Sequence, residues 1–202
     1  MSSLRIQHKK RTEDAIRNAA VNLAFENGLE NVTTEMISAA AGVSQRTFFN
    51  YFPYKDAVYV PPRPSFDPEQ VEHFVTGKGD FIDEISEFFR SVLSEIGADR
   101  EIIMRSHVIC QSDPKLLLLR YSTFQEIEED IGEIIARRLG NTSDPTTPQH
   151  MAALIIATIR IGFGAWVEGA QGSAYDVVAQ RLAAMRCIFD AVPETTKAGA
   201  LA

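Results

Sequence analysis

Apolar residues recur at intervals of three and four along most of the chain, which is the spacing of one face of an α-helix. In the first clear segment, Ile16 and Ala20 lie on such a face. Thr12 can cap the start of this helix, and Gly28 suits the position just after its end. The pattern therefore predicts a first helix over residues 12–27.

The same signals predict two short helices over residues 33–41 and 45–52. Gly42 can form the turn between them, because glycine adopts left-handed backbone conformations at little cost. Ser44 is a natural cap for the second of the two. Pro53 can open a fourth helix, since proline is tolerated in the first turn.

Prolines at positions 61, 62 and 64 mark a boundary near residues 60–68. A capping residue followed by proline, at Asp113 and again at Thr147, starts two of the later helices. We predict an all-α fold with a small N-terminal domain over residues 1–58 and a larger helical domain over residues 59–202. The helices predicted in the second domain span residues 80–96, 100–111, 113–139, 147–169 and 173–192.

Composition narrows the class of protein. No apolar stretch reaches eighteen residues, so we expect no membrane span, and the first residues lack the apolar core of a signal peptide, so we expect a cytoplasmic location. Cys110 and Cys187 are expected to be buried free thiols, since nothing supports a disulfide or a redox site. No catalytic motif or phosphate loop is present, and His107 with Cys110 lacks further metal ligands. We expect no enzyme activity, cofactor or metal.

The net charge of −7 argues at first against nucleic acid, but the charges are unevenly distributed. Residues 1–56 hold seven basic and six acidic side chains, whereas the remainder holds thirteen and twenty-one. Phosphate binding needs a local field rather than a positive total. The N-terminal arm is either a DNA-contacting arm or a solubilising tail, and its four basic residues are Arg5, Lys9, Lys10 and Arg11.

Residues 33–55 have the pattern of a helix-turn-helix, in which small residues such as Ala40 and Ala41 let two helices cross closely. Phe48 and Phe52 lie four apart on the second helix and can pack inward. The side chains left outside suit the major groove and the DNA backbone, because Arg, Gln and Asn can read base edges and Thr, Tyr and Lys can reach phosphates. They are Gln45, Arg46, Thr47, Asn50, Tyr51 and Lys55.

This stretch closely resembles the N-terminal helix-turn-helix of the TetR family of transcriptional regulators. The resemblance rests on the turn at residues 41–44, on Thr47 with two following aromatic residues, and on the run at residues 51–55. It covers about residues 10–58. Phe49 stands where the family often has tyrosine, so we expect packing from it at most, and Ser38 stands where alanine is common.

The resemblance also assigns roles to the outward side chains. Base edges are assigned to Gln45, Arg46 and Asn50. Phosphates are assigned to Ser44, Thr47, Tyr51 and Lys55. Without the context of this motif, Arg46 and Lys55 would be interpreted as ordinary solvated charges.

The resemblance implies a homodimer that binds double-stranded DNA at a palindromic site and pairs through its last two helices as a four-helix bundle. Small residues on the penultimate helix allow close approach of a partner helix, and apolar residues on both helices add surface that an interface can bury. The alternative is that these two helices pack only within one chain. The residues concerned are Leu154, Ile155, Ile161, Gly162, Gly164, Ala165, Trp166, Gly169, Ala170, Val178, Leu182, Met185 and Phe189.

The middle helices would then hold a small-molecule effector whose binding moves the two reading domains apart. The candidate lining residues can each equally be ordinary core or surface residues. They are Phe88, Met104, Arg105, His107, Phe124, Phe163 and Trp166. We therefore predict a repressor released from its operator by a small, largely apolar ligand; the alternative is a helical small-molecule carrier with an inactive DNA-binding domain.

Overall fold

The computed structural model describes residues 3–60, 63–96, 99–140 and 144–187. Within these ranges the chain forms α-helices and short 3-10 helices but no β-strand, so the predicted all-α class is confirmed. In chain order the α-helices are α1 (Ser3–Asn27), α2 (Thr34–Ala40), α3 (Gln45–Tyr51), α4 (Pro68–Thr76), α5 (Phe81–Phe88), α6 (Arg90–Ile96), α7 (Arg100–Ser112), α8 (Pro114–Leu139), α9 (Thr147–Glu168) and α10 (Ala174–Ala184). The 3-10 helices are Leu29–Asn31, Lys55–Val58 and Met185–Cys187.

We call residues 3–60 the head and the described residues from 63 onward the body. Two predictions about the head were wrong. α1 begins at Ser3 rather than Thr12, because no glycine or proline interrupts the preceding residues and the Thr12 hydroxyl donates to the carbonyl of His8 at 3.0 Å instead of capping. Pro53 opens no α-helix; a 3-10 helix forms at Lys55–Val58 after Tyr54, whose backbone is extended.

The body also departs from prediction at three points. The segment predicted over residues 80–96 breaks at Phe89 into α5 and α6; Phe88 and Phe89 are both buried, although neighbours on a regular helix point about 100° apart. Thr146, not Thr147, caps α9, and its side chain makes no capping bond. α10 ends at Ala184, while Phe189 and the predicted end at residue 192 lie outside the described residues.

Two large hydrophobic clusters organise the molecule. The first joins head residues such as Ile37 and Phe48 to Ile109 and Leu116 of α7 and α8. It therefore crosses the boundary placed after residue 58, and the division into two domains stays a prediction. The second cluster holds the body together around Ile131 of α8 and the facing sides of α9 and α10.

The last two helices are already packed within this chain. A Cβ on Gly162 would lie 3.0 Å from the Cα of Val178, so this glycine permits the close approach of α9 to α10. Five residues predicted for a dimer interface are instead buried inside the same chain, because they face neighbouring helices of that chain: Ile155, Gly162, Trp166, Val178 and Leu182. Leu154 and Ile161, in contrast, are 50% and 65% exposed.

In the described ranges, α9 is also the one helix long and apolar enough to cross a membrane, by length and composition alone. Buried Ile155 and Ile156 belong to the body cluster, so part of its apolar surface is used in packing. Cys110 is a buried free thiol, as predicted, whereas the free thiol Cys187 is exposed at the end of the described chain.

Candidate nucleic-acid interface

Helix α3, which the sequence predicts to be the recognition helix, is held by its cap and by two aromatic side chains. The hydroxyl of Ser44 accepts a hydrogen bond from the backbone N–H of Thr47 at 3.0 Å. Phe48 and Phe52 are buried with ring centroids 5.6 Å apart. Because these two rings fix which side of α3 faces the head core, the opposite side faces solvent.

The turn before α3 has the predicted geometry. Gly42 has φ of +68°, a left-handed conformation that side chains with a Cβ rarely adopt. Thr33 caps α2 by accepting from the N–H of Met36 at 3.2 Å. Ser38 fits the helix crossing, since its buried hydroxyl donates to the carbonyl of Thr34 at 2.7 Å.

Five of the seven side chains assigned to DNA are exposed or partly exposed on the surface of the head. Arg46 and Asn50 are exposed, while Thr47 and Tyr51 are partly exposed on the same two turns. The exposed Ser44 hydroxyl lies 2.9 Å from that of Thr47, so these two groups form a local pair beside the start of α3.

Gln45 is partly exposed at the start of α3. A backbone N–H, followed by the side chain of Gln45, lowers the pKa of Glu35 at the start of α2.

Lys55 is placed differently from the other six. Its ammonium donates to the carbonyl of Leu29 at 3.2 Å and to that of Val32 at 3.0 Å. A lysine has three N–H bonds, so two of them point into the head. Phe49 follows the prediction made for it: its ring is 50% exposed and packs edge-to-face on Phe48, with centroids 5.3 Å apart.

Arg17, on α1, stabilises the segment that follows α3. It was not singled out from the sequence, where it counted only among the basic residues. Its Nη1 donates to the carbonyls of Val58 at 2.8 Å and Val60 at 2.6 Å. Its guanidinium carbon lies 5.3 Å from the ring centre of Phe52, and burial lowers its pKa. Only the one-turn spacing from Glu13 hinted at a partner, and that pair is 3.5 Å apart.

The seven candidate effector residues are dispersed over several elements of the described chain. Phe88 packs against Phe74 in the body cluster, with ring centroids 5.4 Å apart. Phe163 packs against Trp166 at the same separation, where α9 passes α7. Phe124 lies under the guanidinium of Arg160, 5.7 Å from it.

The other candidates on this list lie on α7, nearer the head: Met104, Arg105 and His107. Arg105 donates to the side chain of Asn22 on α1 at 2.7 Å. His107 lies 3.1 Å from a guanidinium nitrogen of Arg120, and burial, followed by this charge, lowers its pKa. Met104 is 41% exposed on the outer side of α7.

Two cavities can be described, and both lie where the head meets the body. The larger, about 380 Å³, is lined by side chains of α1, the end of α3 and α8, including Arg17, Tyr51 and Glu126. The smaller, about 300 Å³, lies between Gly28–Asn31 and the end of α7. None of the seven predicted residues lines either cavity, and in the described residues no group of three possible metal ligands comes together.

Comparison with known proteins defines the class. The sequence model described as bacterial regulatory proteins, tetR family, matches residues 16–60, and the model of the MftR C-terminal domain matches residues 86–190. The chain belongs to the TetR family. It is therefore a DNA-binding transcriptional regulator and not an enzyme, and regulators of this family bind DNA and small-molecule ligands.

Two relatives are similar over most of their length. The regulator TcmR of Streptomyces glaucescens is 28% identical over 173 residues, which is 81% of this chain and 76% of TcmR. The putative mycofactocin biosynthesis regulator MftR of Mycobacterium tuberculosis is 26% identical over 85% of this chain and 91% of MftR.

Solved structures support the fold alone. A structure of NalD, the secondary repressor of the MexAB-OprM efflux pump in Pseudomonas aeruginosa, has a TM-score of 0.53 at 18% identity, covering 89% of this chain and 96% of NalD. The complex of SmeT with triclosan has a TM-score of 0.52 at 22% identity, covering 86% and 90%.

Proposed function

We propose that the protein is a homodimeric cytoplasmic repressor that reads a palindromic operator with α3 and is released from it by a small, largely apolar ligand. The observation that carries this proposal is the two-sided build of α3. Phe48 and Phe52 are fully engaged in the head core, while polar side chains of the same helix stay accessible.

In this proposal Gln45, Arg46 and Asn50 contact base edges, since their side chains can make paired hydrogen bonds to guanine or adenine. Phosphates are contacted by Ser44, Thr47, Tyr51 and Lys55 at the ends and flank of the helix. The accessibility of Arg46 and Asn50 supports this division, and Lys55 keeps a third N–H beside its two bonds inside the head.

We infer that dimerisation uses the outer side of α9. Leu154 and Ile161 lie seven residues apart, hence on one side of the helix, and both are at least half exposed. Association removes such apolar surface from water. Ile161→Glu should give a monomer by light scattering and weaken operator binding, whereas Leu118→Glu, at a 68% exposed position of α8, should leave the dimer intact.

We propose that the effector site forms in the body at the apolar members of the predicted set, with Phe124, Phe163 and Trp166 of α8 and α9 as its wall. These rings lie on adjacent helices and Phe163 contacts both the body cluster and the cluster around Trp166. Because they are packed now, a ligand has to displace them. A hydrophobic fluorescent probe should bind the wild-type dimer more tightly than a Phe163→Ser variant.

The DNA-binding role is tested by selection from a library of random duplexes with the purified full-length protein. We expect an enriched palindromic sequence, and Arg46→Ala should weaken binding to it by about 1–3 kcal/mol. Lys78→Ala, at an exposed position outside the head, is the control. Probe binding without any enriched sequence would instead favour a small-molecule carrier with an inactive head.

A further inference from the structure

The larger cavity, of about 380 Å³, lies between the head and the body and outside the proposed effector site. Glu13 and Arg17 of α1 line it, together with Tyr51 and Tyr54 from the end of α3 and the segment after it, and Glu126 of α8. Its volume is that of a site for a small organic molecule. Any molecule bound there would touch the head and the body at the same time.

The two guanidinium groups that line this cavity already have strong partners. Arg17 donates to the backbone carbonyls of Val58 and Val60. Arg63 donates from Nε to one carboxylate oxygen of Asp130 at 2.7 Å and from Nη2 to the other. Because the donors of a guanidinium lie in one fixed plane, these bonds set the direction of both groups. An anion in the cavity would therefore have to compete with bonds that both groups already make.

The acidic residues of the lining are paired more weakly. Glu13 lies 3.5 Å from a guanidinium nitrogen of Arg17, and Glu126 lies 3.5 Å from one of Arg63. Strong hydrogen bonds between charged groups are shorter, at about 2.7–2.9 Å. The side chains of Glu13 and Glu126 are also 31% and 53% exposed. Both carboxylates therefore keep acceptor capacity for a ligand that donates hydrogen bonds.

Charge around the cavity is negative on balance. Five carboxylates act electrostatically on the two guanidinium groups of the lining, and they are Glu13, Asp14, Glu126, Glu129 and Asp130. The described residues that line the cavity include no lysine or histidine. Such a field attracts a cation and repels an anion.

Aromatic rings form the wall on the head side. Tyr51, Phe52 and Tyr54 line the cavity, and Tyr54 is 47% exposed. The guanidinium carbon of Arg17 lies 5.3 Å from the centre of the Phe52 ring, so a planar cation already packs against this wall. The face of an aromatic ring attracts cations. Carboxylates and aromatic rings together suit a flat organic cation.

We propose that this cavity binds a small aromatic cation, in which an amidinium or ammonium group is attached to a planar ring. Glu126 of α8 pairs with the charge, and Tyr51 and Tyr54 of the head pack against the ring. The site is separate from the one proposed for an apolar effector, and its occupation does not depend on the reading of DNA by α3. Because the bound molecule contacts both head and body, it restrains their relative position.

The test titrates the full-length protein with 4-aminobenzamidine, a fluorescent aromatic cation, and with 4-aminobenzamide, which has nearly the same shape but no charge. We expect saturable binding of the amidine and about tenfold weaker binding of the amide, because hydrogen bonds between charged groups are the stronger ones. Equal affinities for the two molecules would overturn the proposal. So would the absence of saturable amidine binding below about 1 mM.

Two variants locate the bound amidine. Glu126→Gln keeps the size of the side chain and removes its charge, so amidine affinity should fall about tenfold. Ser122→Trp places a large ring in the cavity and should abolish binding. Both positions are exposed on α8, so neither variant removes core packing, and circular dichroism checks that the helical fold is kept.

Glu133→Gln is the matched control. It makes the same change at an exposed position about two turns further along α8, outside the lining, and should bind the amidine as the wild-type protein does. An equal loss in Glu133→Gln and Glu126→Gln would overturn the proposal, because it would indicate attraction by net charge alone. Amidine binding that survives both Glu126→Gln and Ser122→Trp would also overturn it, since the molecule would then lie elsewhere.

Discussion

The helix-turn-helix and the body use helices of very different length. α2 and α3 have seven residues each, whereas α8 and α9 have 26 and 22. Helices of seven residues are too short to be stable alone, so the helix-turn-helix depends on its caps, on packing into the first hydrophobic cluster and on bonds from Arg17 and Lys55. The long helices of the body distribute their packing over many residues. Single substitutions should therefore act more strongly in the head.

The largest effect is expected for Phe48→Ala. The ring is fully buried in the cluster that joins the head to α7 and α8. Its removal should lower the free energy of unfolding by about 3–5 kcal/mol in urea denaturation. The neighbouring variant Phe49→Ala, at a half-exposed ring, should cost less than about 1 kcal/mol. Similar losses for the two variants would contradict the orientation of α3.

Arg17→Met should come next. It removes the charged donor that serves the carbonyls of Val58 and Val60, and the side chain is only 16% exposed. Hydrogen bonds from charged groups contribute about 1.5–3 kcal/mol, so we expect a loss of ~2–3 kcal/mol in thermal unfolding. Arg11→Met, at an exposed position of α1, is the control. If both variants melt alike, Arg17 does not fasten α1 to the last residues of the head.

Gly162→Ala tests the body. The added methyl would meet the backbone of α10 at 3.0 Å, so the two helices have to separate, and we expect a loss of about 1–3 kcal/mol by denaturant unfolding. Gly132→Ala is the matched control on α8. Its methyl would lie at ordinary contact distance, 3.8 Å from Gln149, and helix propensity should make it neutral or stabilising by ~0.5–1 kcal/mol. A larger loss at Gly132 would reverse this comparison.

The smallest effect is expected for Lys115→Met, which removes the ion pair between α8 and Asp56 of the head. The lysine is 71% exposed, so solvent screens the pair and we expect a smaller loss of stability than for any variant above. The difference from the wild-type protein in thermal unfolding should shrink further at high salt. A loss as large as that of Arg17→Met would show that this exposed ion pair contributes as much to stability as the buried bonds of Arg17.

Local signals were sufficient for the reading unit. Thr33, Gly42 and Ser44 act within three or four residues of themselves, as caps and as the turn, so their pattern predicted α2, the turn and α3 with bounds within one residue. The inward side of α3 followed from the spacing of Phe48 and Phe52. These features depend on the period of the helix and on side chains bonding to their own backbone, which sequence carries directly.

Tertiary structure decided everything that depends on residues far apart in the chain. The ammonium of Lys55 and the guanidinium of Arg17 bond to backbone carbonyls 23 to 43 positions away. Every residue has such a carbonyl, so the sequence does not show which one will accept a bond. The apolar candidates of the body share one helical period, so spacing could not separate those that pack within the chain, such as Trp166, from those left outside, such as Ile161. Sequence determined the fold class, the family and the reading helix, because short-range bonding fixes them. Only the packed chain determined which long-range bonds support that helix and which side of α9 is left exposed.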